Sequence, residues 1–514
     1  MKIPPARTWL LALILTPGPS AATAAPPESA GAIDLGTNRE LFVDGALVDR
    51  LAGGAELRLH APTPQEVAIV HDAPWEGNDS LFHSVFQDGP LYRMYYRGWQ
   101  INLLPDRLDV SDVPRLCYAE SDDGIHWRKP ALGLCEFRGS KANNIVLLGG
   151  KQMGVNIRVE ASAVFRDDNP AAAPAARYKT LLNSIAPKGL LAFQSPDGLH
   201  WSPLSVTPIL LGPGFDSQNL AFWDAVSGVY RIYWRPVLGE VKGTHRGIRT
   251  AISHDFLHWQ EEADLRYVDS PVEHLYTNVI KPYYRAPQIL IGFPTRYVDR
   301  GWTDSTRDLP QLENRQLRAR GNQRYGTAVT EVVMMAGRDG VTFRRWNEAF
   351  LRPGIERPGT WMYGQHYMAW QMVETKSALE GAPNEISLYS SEGTWIGHQT
   401  TMRRYTLRLD GFVSLAAPLS GGELVTRPVR FSGRQLALNF STSAAGSVRV
   451  EIEDESGQPY PGFALADAPL TFGDSVDRVL TWKQGADLGA LAGRPIRLRF
   501  VLQDADVYSF WFRE

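Results

Sequence analysis

The chain has 514 residues, 53 Lys and Arg against 56 Asp and Glu, and a formal net charge of −3. That length allows two or three domains, and the near balance of charge excludes an electrostatic footprint for nucleic acid or anionic lipid. With 15 Trp, 19 Tyr and 20 Phe the chain is aromatic-rich, which suits a β core and a sugar-stacking surface equally.

Residues 1–25 read as a secretory leader, with Lys2 and Arg7, an apolar run Trp9–Leu15, and Ala22-Thr23-Ala24 as a small-residue cleavage site. The run is too short to span a bilayer. The expectation is an exported chain, periplasmic or extracellular, with no membrane insertion. The only cysteines are Cys117 and Cys135. An exporting compartment permits a disulfide between them, and two buried thiols in neighbouring strands fit equally well.

Residues 32–62 form a strand-rich entry segment. One seven-residue device then recurs at uneven, blade-sized intervals. It reads Ser121-Asp122-Asp123-Gly124-Ile125-His126-Trp127, Ser195-Pro196-Asp197-Gly198-Leu199-His200-Trp201 and Ser253-His254-Asp255-Phe256-Leu257-His258-Trp259. A weaker copy is Gly337-Arg338-Asp339-Gly340-Val341-Thr342-Phe343. The Asp accepts from backbone amides ahead of it, Gly supplies positive φ, and the aromatic returns into the core. Each device follows apolar runs spaced as strands: Ser80–Gln87, Leu91–Arg97 and Leu116–Glu120 for the first, then Ala161–Arg166, Arg177–Asn183 and Leu190–Gln194. The third has Leu220–Asp224, Tyr230–Arg235 and Ile248–Ser253; the fourth Leu275–Tyr284, Gln288–Pro294 and Ala328–Met335. A fifth set, Tyr367–Val373, Glu385–Ser390 and Met402–Leu409, ends at Asp410-Gly411-Phe412. Three strands, an Asp turn and a fourth strand, repeated five times, predict an all-β chain with a five-bladed β-propeller over 32–411.

From 412 to 514 the apolar residues alternate at period two, as in Val448, Val450 and Ile452 or Ile496, Leu498 and Phe500. That pattern predicts a β-sandwich accessory domain. Between Val298 and Gly326 the fourth repeat carries an insertion dense in Arg, Asp and Gln, expected as a lid or binding loop.

In a propeller the innermost strands converge at one mouth, so polar residues at their starts are the candidate site. They are Trp75, Glu76, Asn78 and Asp79 in the first repeat, Glu160 with Asp167 in the second, and Asp216 and Asn219 in the third. Glu273, His274 and Tyr276 follow in the fourth, and Trp361 and His366 in the fifth. Clustered carboxyls raise at least one pKa and so pair a general acid with ionised partners, as glycoside hydrolysis requires. The aromatics can stack on sugar rings. No spacing forms a metal motif, and no cofactor is called for; His274 and His366 are the candidates for holding a structural cation in the channel.

Ser253–Glu261 resembles the blade turns of the five-bladed propeller glycosidases, the family 32 and 68 fructosidases and the family 43 arabinanases. Asn78-Asp79 before a strand resembles the fructosidase blade-1 site, which implies Asp79 as nucleophile or base. Phe165-Arg166-Asp167 resembles their Arg-Asp-Pro motif, which implies Asp167 as the charge-stabilising group, although Asp168 stands where the motif has Pro. Where those enzymes place a Glu acid this sequence has Asp216, leaving Glu273 or Glu160 as alternative acids. The resemblance implies an exported glycoside hydrolase acting on an oligo- or polysaccharide, a fructosyl or arabinosyl furanoside above all. The rival readings are a non-catalytic carbohydrate-binding propeller, a scaffold with a plugged channel, and a polysaccharide lyase. The lyase would need a base such as His366 or Tyr276 and arginines for an acidic sugar.

Overall fold

The computed structural model describes residues 31–212, 214–239, 244–397 and 399–514; the expected leader lies outside them. Successive antiparallel sheets form a propeller. Blade 1 is built from Leu81–Asp88, Leu91–Gly98, Arg115–Ser121 and Ile145–Leu148. Blade 3 uses Leu220–Asp224, Val229–Trp234, Arg249–Ser253 and Trp259–Asp264. Blade 4 runs Lys281–Tyr283, Ala286–Gly292 continued by Thr295–Asp299, Ala328–Gly337 and Thr342–Leu351. Blade 5 takes Val373–Thr375, Glu385–Glu392 and Thr400–Arg408.

These four blades show the plain meander. The second repeat is irregular at both edges. Val155–Arg158 and Val164–Arg166 share the inner edge of Tyr178–Ser184, while Ser202–Pro203 and Leu210–Leu211 share the outer edge of Gly189–Ser195. The five equal blades expected from the repeats are therefore four clear ones and one broken sheet.

Blade 5 obtains its outer strand from the other end of the domain. After Asp410 the chain leaves for the sandwich, and Thr63–His71 pairs with Thr400–Arg408 instead. The entry segment before it belongs to the sandwich by pairing. Val48–Gly53 pairs with Gly422–Thr426 and Glu56–Leu59 with Val413–Ala417. Gln435–Glu453 and Arg497–Arg513 run side by side through most of the sandwich. Their inward residues, with Phe42, Phe431, Phe500, Phe510 and Phe512, form its core.

The recurring Asp device has the predicted chemistry. Asp123 Oδ1 accepts from the Ile125 and His126 amides, both at 2.8 Å, and Oδ2 meets His126 Nδ1 at 2.7 Å. Asp197 and Asp255 repeat this set with His200 and His258. Against a burial cost, the imidazole and amide donors hold all three carboxylates well below their ordinary range. Gly124 and Gly198 take φ of 73° and 81°, and Phe256 takes 70° at the same place while fully buried.

Each turn is gripped by a side chain of the preceding blade. The Tyr389 hydroxyl donates to the Gly124 carbonyl, Tyr233 to Gly340 at 2.9 Å, and Tyr283 to Asp410 Oδ1 at 2.8 Å. Tyr95 lies against Gly198, and Arg93 beside it donates to the Asp197 carbonyl at 2.8 Å. At the third turn the Lys179 ammonium sits 5.5 Å from the Phe256 ring.

Cys117 and Cys135 are free thiols in one apolar cluster. Among the described residues no helix is long and apolar enough to cross a membrane.

Asp410 joins the two domains. Its buried carboxylate meets Arg39 at 3.1 Å, Arg285 at 2.8 Å, Ser509 at 2.7 Å and Asn439 at 3.2 Å. Burial alone would raise its pKa; Arg39 and Arg285 outweigh that and hold it below the ordinary carboxylate value. Asp410→Ala removes the anion shared by two half-buried arginines, of which Arg285 keeps Glu374 at 3.6 Å, and a loss of about 1.5–3 kcal/mol in denaturant unfolding is expected. Because the folded-state pKa is depressed, this contribution is present above the unfolded value near ~3.9 and disappears as pH falls through the folded one. The gap between wild type and variant should therefore narrow in acid.

Candidate functional site

The innermost strands bring a compact set of side chains to one mouth. Asp79, just ahead of blade 1, pairs through Oδ2 with Arg97 Nη2 at 2.6 Å. The pairing of Leu81 with Arg97 places that guanidinium beside the strand start. Arg97 also reaches blade 2, where Nη1 lies 3.4 Å from the Glu160 carbonyl. The Glu160 carboxyl meets Arg158 at 2.7 Å through Oε1, and its buried Oε2 has no partner. In blade 3, Asp216 is 71% exposed and pairs with the buried Arg235 at 2.5 Å. Arg235 lies 4.4 Å from the Tyr276 ring of blade 4. The Tyr363 hydroxyl donates to that of Tyr276 at 2.8 Å, and Tyr367 stacks between Tyr276 and Phe82 at 5.2 and 5.9 Å. All five repeats contribute.

Burial sets the electrostatics here. It raises the carboxyl pKa of Asp79 against the pull of Arg97, Trp395 and Arg318. It raises that of Glu160 as well, against Arg158 and Arg97, with Asp216 adding a smaller push in the same direction. Like-charge repulsion, expected from the sequence to dominate, is the minor cause.

The insertion of blade 4 is helical rather than an irregular loop. Helices α1 (Asp304–Asp308), α2 (Leu312–Gly321) and α3 (Gln323–Thr327) fold across the mouth. Arg315 and Arg318 of α2 are buried and donate to backbone carbonyls: Trp361 and Gly326 for Arg315, Tyr363 and Thr394 for Arg318. Desolvation pushes Arg315 down to about 10 and Arg318 to about 9. With Trp395, whose amide donates to the Asn78 carbonyl at 2.8 Å, this cap leaves Asp79 1% exposed. Deeper down, Trp370 fills the channel. Its indole donates to the Ile280 carbonyl at 2.9 Å, and its backbone bonds to His83 and Val85 of blade 1.

Asp79, Glu160, Asp216 and Tyr276 thus gather as expected, and the other candidates do not. Asp167 follows its strand rather than preceding it. It sits at the opposite end of the blades, bound to Lys179 and to Tyr230 at 2.7 Å. Glu273 points to the outer part of blade 4, paired with Arg296 at 3.3 Å and Arg345 at 2.8 Å. Glu76 is buried inside blade 1 with Tyr96 at 2.5 Å and Lys129 at 2.8 Å, and burial is outweighed there by His71 and Lys129, which hold it near about 2. Trp75 bonds Asn144, Asn78 bonds the Ile101 backbone, Asn219 bonds the Phe215 carbonyl, and Trp361 bonds the Gly354 carbonyl. These four are architectural. His274 lies on a rim basin, and both His366 nitrogens are engaged, by Gln365 and Ser390 at 3.1 Å. Among the described residues no three His, Cys, Asp or Glu side chains gather as metal ligands.

Arg97 and Arg235 were not among the candidates, yet they carry a readable signal. Each ends the second strand of its blade after two aromatics, Tyr95-Tyr96-Arg97 and Tyr233-Trp234-Arg235. An arginine recurring at that register faces the start of the strand beside it.

No family model and no curated protein matches the sequence. Among solved structures the chain is similar to an endo-arabinase from Bacteroides thetaiotaomicron, with 10% identity, TM-score 0.38, and coverage of 67% of this chain and 96% of that one. It is similar to a fructofuranosidase from Schwanniomyces occidentalis complexed with fructosylnystose, with 10% identity, TM-score 0.36, and coverage of 93% and 99%. An N-acetylgalactosamine deacetylase from F. plautii gives 12% identity, TM-score 0.42, and coverage of 69% and 95%. Likeness at this level carries no functional argument.

His366 offers a check on the geometry. Burial, only partly opposed by Glu392, lowers its imidazole to about 4. The unfolded chain takes up a proton below ~6.5 that the folded chain refuses, so stability should fall by about 3 kcal/mol between the two values. His366→Gln should flatten that limb of the stability–pH curve measured by denaturant unfolding.

Proposed function

We propose that the propeller mouth hydrolyses a glycosidic bond of an oligo- or polysaccharide, with Glu160 as proton donor and Asp216 as the second carboxylate. One observation carries this reading: Glu160 is buried at the mouth floor with a free oxygen and a raised pKa, close to the exposed, arginine-held Asp216. Glycoside hydrolysis needs a carboxylic acid to protonate the leaving oxygen and a carboxylate to attack or to activate water. Tyr276 supplies an aromatic face, and its hydroxyl is held by Tyr363. Asp79, expected as nucleophile, is covered by the cap and serves by holding Arg97 between blades 1 and 2.

A second reading has its own observation. Every mouth carboxylate is matched by an arginine, and Tyr276 stands beside Arg235 and Arg246. That is the setting for β-elimination of an acidic sugar. Product analysis separates the two, because elimination leaves an unsaturated sugar and hydrolysis does not.

Glu160→Gln should reduce turnover of a natural saccharide by about 10²–10⁴-fold. An aryl glycoside with a good leaving group needs little protonation and should lose far less. Equal losses on both substrates, or wild-type rates on the natural one, would remove Glu160 as the acid.

A further inference from the structure

Beside the mouth, the rim between blades 3 and 4 holds a basin of ~470 Å3 that the proposed chemistry does not use. That volume lies within the usual ligand range of about 300–1,000 Å3. Arg246, His274, Arg296, Tyr297 and Arg324 line it, with Glu273 and Asp299. The charges are unevenly matched. Arg296 is tied to Glu331 at 2.6 Å and Glu273 at 3.3 Å, and Glu273 also meets Arg345. Asp299 accepts from the Thr327 hydroxyl at 2.6 Å and the Gly301 amide at 3.1 Å. Among the described residues neither Arg246 nor Arg324 has a carboxylate within 4.0 Å.

Arg246 is nevertheless well fixed. Its guanidinium lies 5.0 Å from the Tyr297 ring and 5.5 Å from the Tyr276 ring, and its amide donates to His274 Nδ1 at 3.2 Å. Arg324 lies 5.6 Å from the Tyr325 ring. A guanidinium held on aromatic faces keeps its fork free for a planar or tetrahedral oxyanion. Tyr297, 6% exposed, forms the basin wall on which the Arg246 guanidinium rests. The local field is positive, since Arg246, His245 and Arg324 add to burial in lowering the His274 pKa.

We propose that this basin is a subsite for an oxyanion carried by the saccharide, a uronate carboxylate or a sulfate ester, held by Arg246 and Arg324. The proposal deepens the saccharide reading of the mouth. Tyr276 joins the two, because its ring lies near Arg235 on the mouth side and Arg246 on the basin side. A sugar over Tyr276 would place its neighbour's acidic group in the basin.

The test is binding to the full chain, read by calorimetry at low and high ionic strength, with three size-matched probes: a uronate oligosaccharide, a sulfated oligosaccharide and a neutral one. At least one anionic probe should bind about tenfold tighter than the neutral probe, as charge-assisted contacts imply. The advantage should shrink with salt, and which acid wins identifies the group. Arg324→Gln on the short helix α3, and Arg246→Met separately, should each erase most of it at an unchanged melting temperature. Arg324→Gln keeps the test meaningful should Arg246→Met unfold. Equal affinity for charged and neutral probes, or no binding of either charged probe at millimolar concentration, overturns the proposal. Turnover is not read, so binding that persists in Glu160→Gln supports the subsite even where the hydrolytic reading fails.

Discussion

The structure depends on a single repeated constraint: a turn whose geometry is set by its own Asp and whose position is set by the blade before it. Within the turn, Asp123, Asp197 and Asp255 each collect two amides and an imidazole, so the loop closes without help from the rest of the fold. Between blades, a side chain of the previous sheet ends on the turn: a tyrosine hydroxyl or an arginine at four of the five, and the Lys179 ammonium near the Phe256 ring at the third. Gly198 and Gly340 have no room for a Cβ because Tyr95 and the Arg231 guanidinium occupy that space. A ring joined in this way cannot easily shift one blade against the next, because each shift leaves a buried hydroxyl or guanidinium without its acceptor.

The ring's two ends are joined twice, by different physics. On the outside, Thr63–His71 completes blade 5 through backbone pairing. At the axis, Trp370 bonds the blade 1 backbone and packs on Phe165 of blade 2. Asp410 adds an ionic joint where the last blade turns into the sandwich, taking Arg39 from before the propeller and Ser509 from the end of the chain. The fifth turn thus has the work of two: it ends a blade and binds a domain. Unlike its counterparts it is fully buried, which is why its partners are charged rather than amides alone.

Much of this was legible in the sequence. The Asp devices named their turns, most strands between them fell within a few residues of the observed ones, and the period-two alternation after 412 marked the sandwich; the innermost strands of blades 4 and 5 begin about six residues later than expected, at Lys281 and Val373. What was not legible shares one cause, that partners lay far away in the chain. Nothing local to Thr63–His71 says that it completes the last blade. The insertion after Val298 reads as a lid or binding loop and does fold over the mouth, but its helices and the inward turn of Arg315 and Arg318 to carbonyls more than forty positions away leave no local pattern. Asp167 shows a subtler failure. An Asp at the start of an inner strand faces the mouth and one at its end faces away, and a match to a short motif does not say which end it occupies.

The mouth looked acidic because carboxylates are conspicuous at strand starts, whereas their arginines sit at the ends of neighbouring strands. Antiparallel pairing brings those two ends together, so Asp79 with Arg97 and Asp216 with Arg235 follow from one rule of register. This changes what the mouth can attract. Three carboxylates alone would repel an acidic saccharide. Matched by Arg97, Arg158 and Arg235, and flanked by Arg246 and Arg324, they leave a surface where negative charge is tolerated at the floor and favoured at the rim. A polymer whose residues alternate in chemical role, one presented to Glu160 and the next carrying an anion, would match this charge pattern better than a uniformly neutral furanoside.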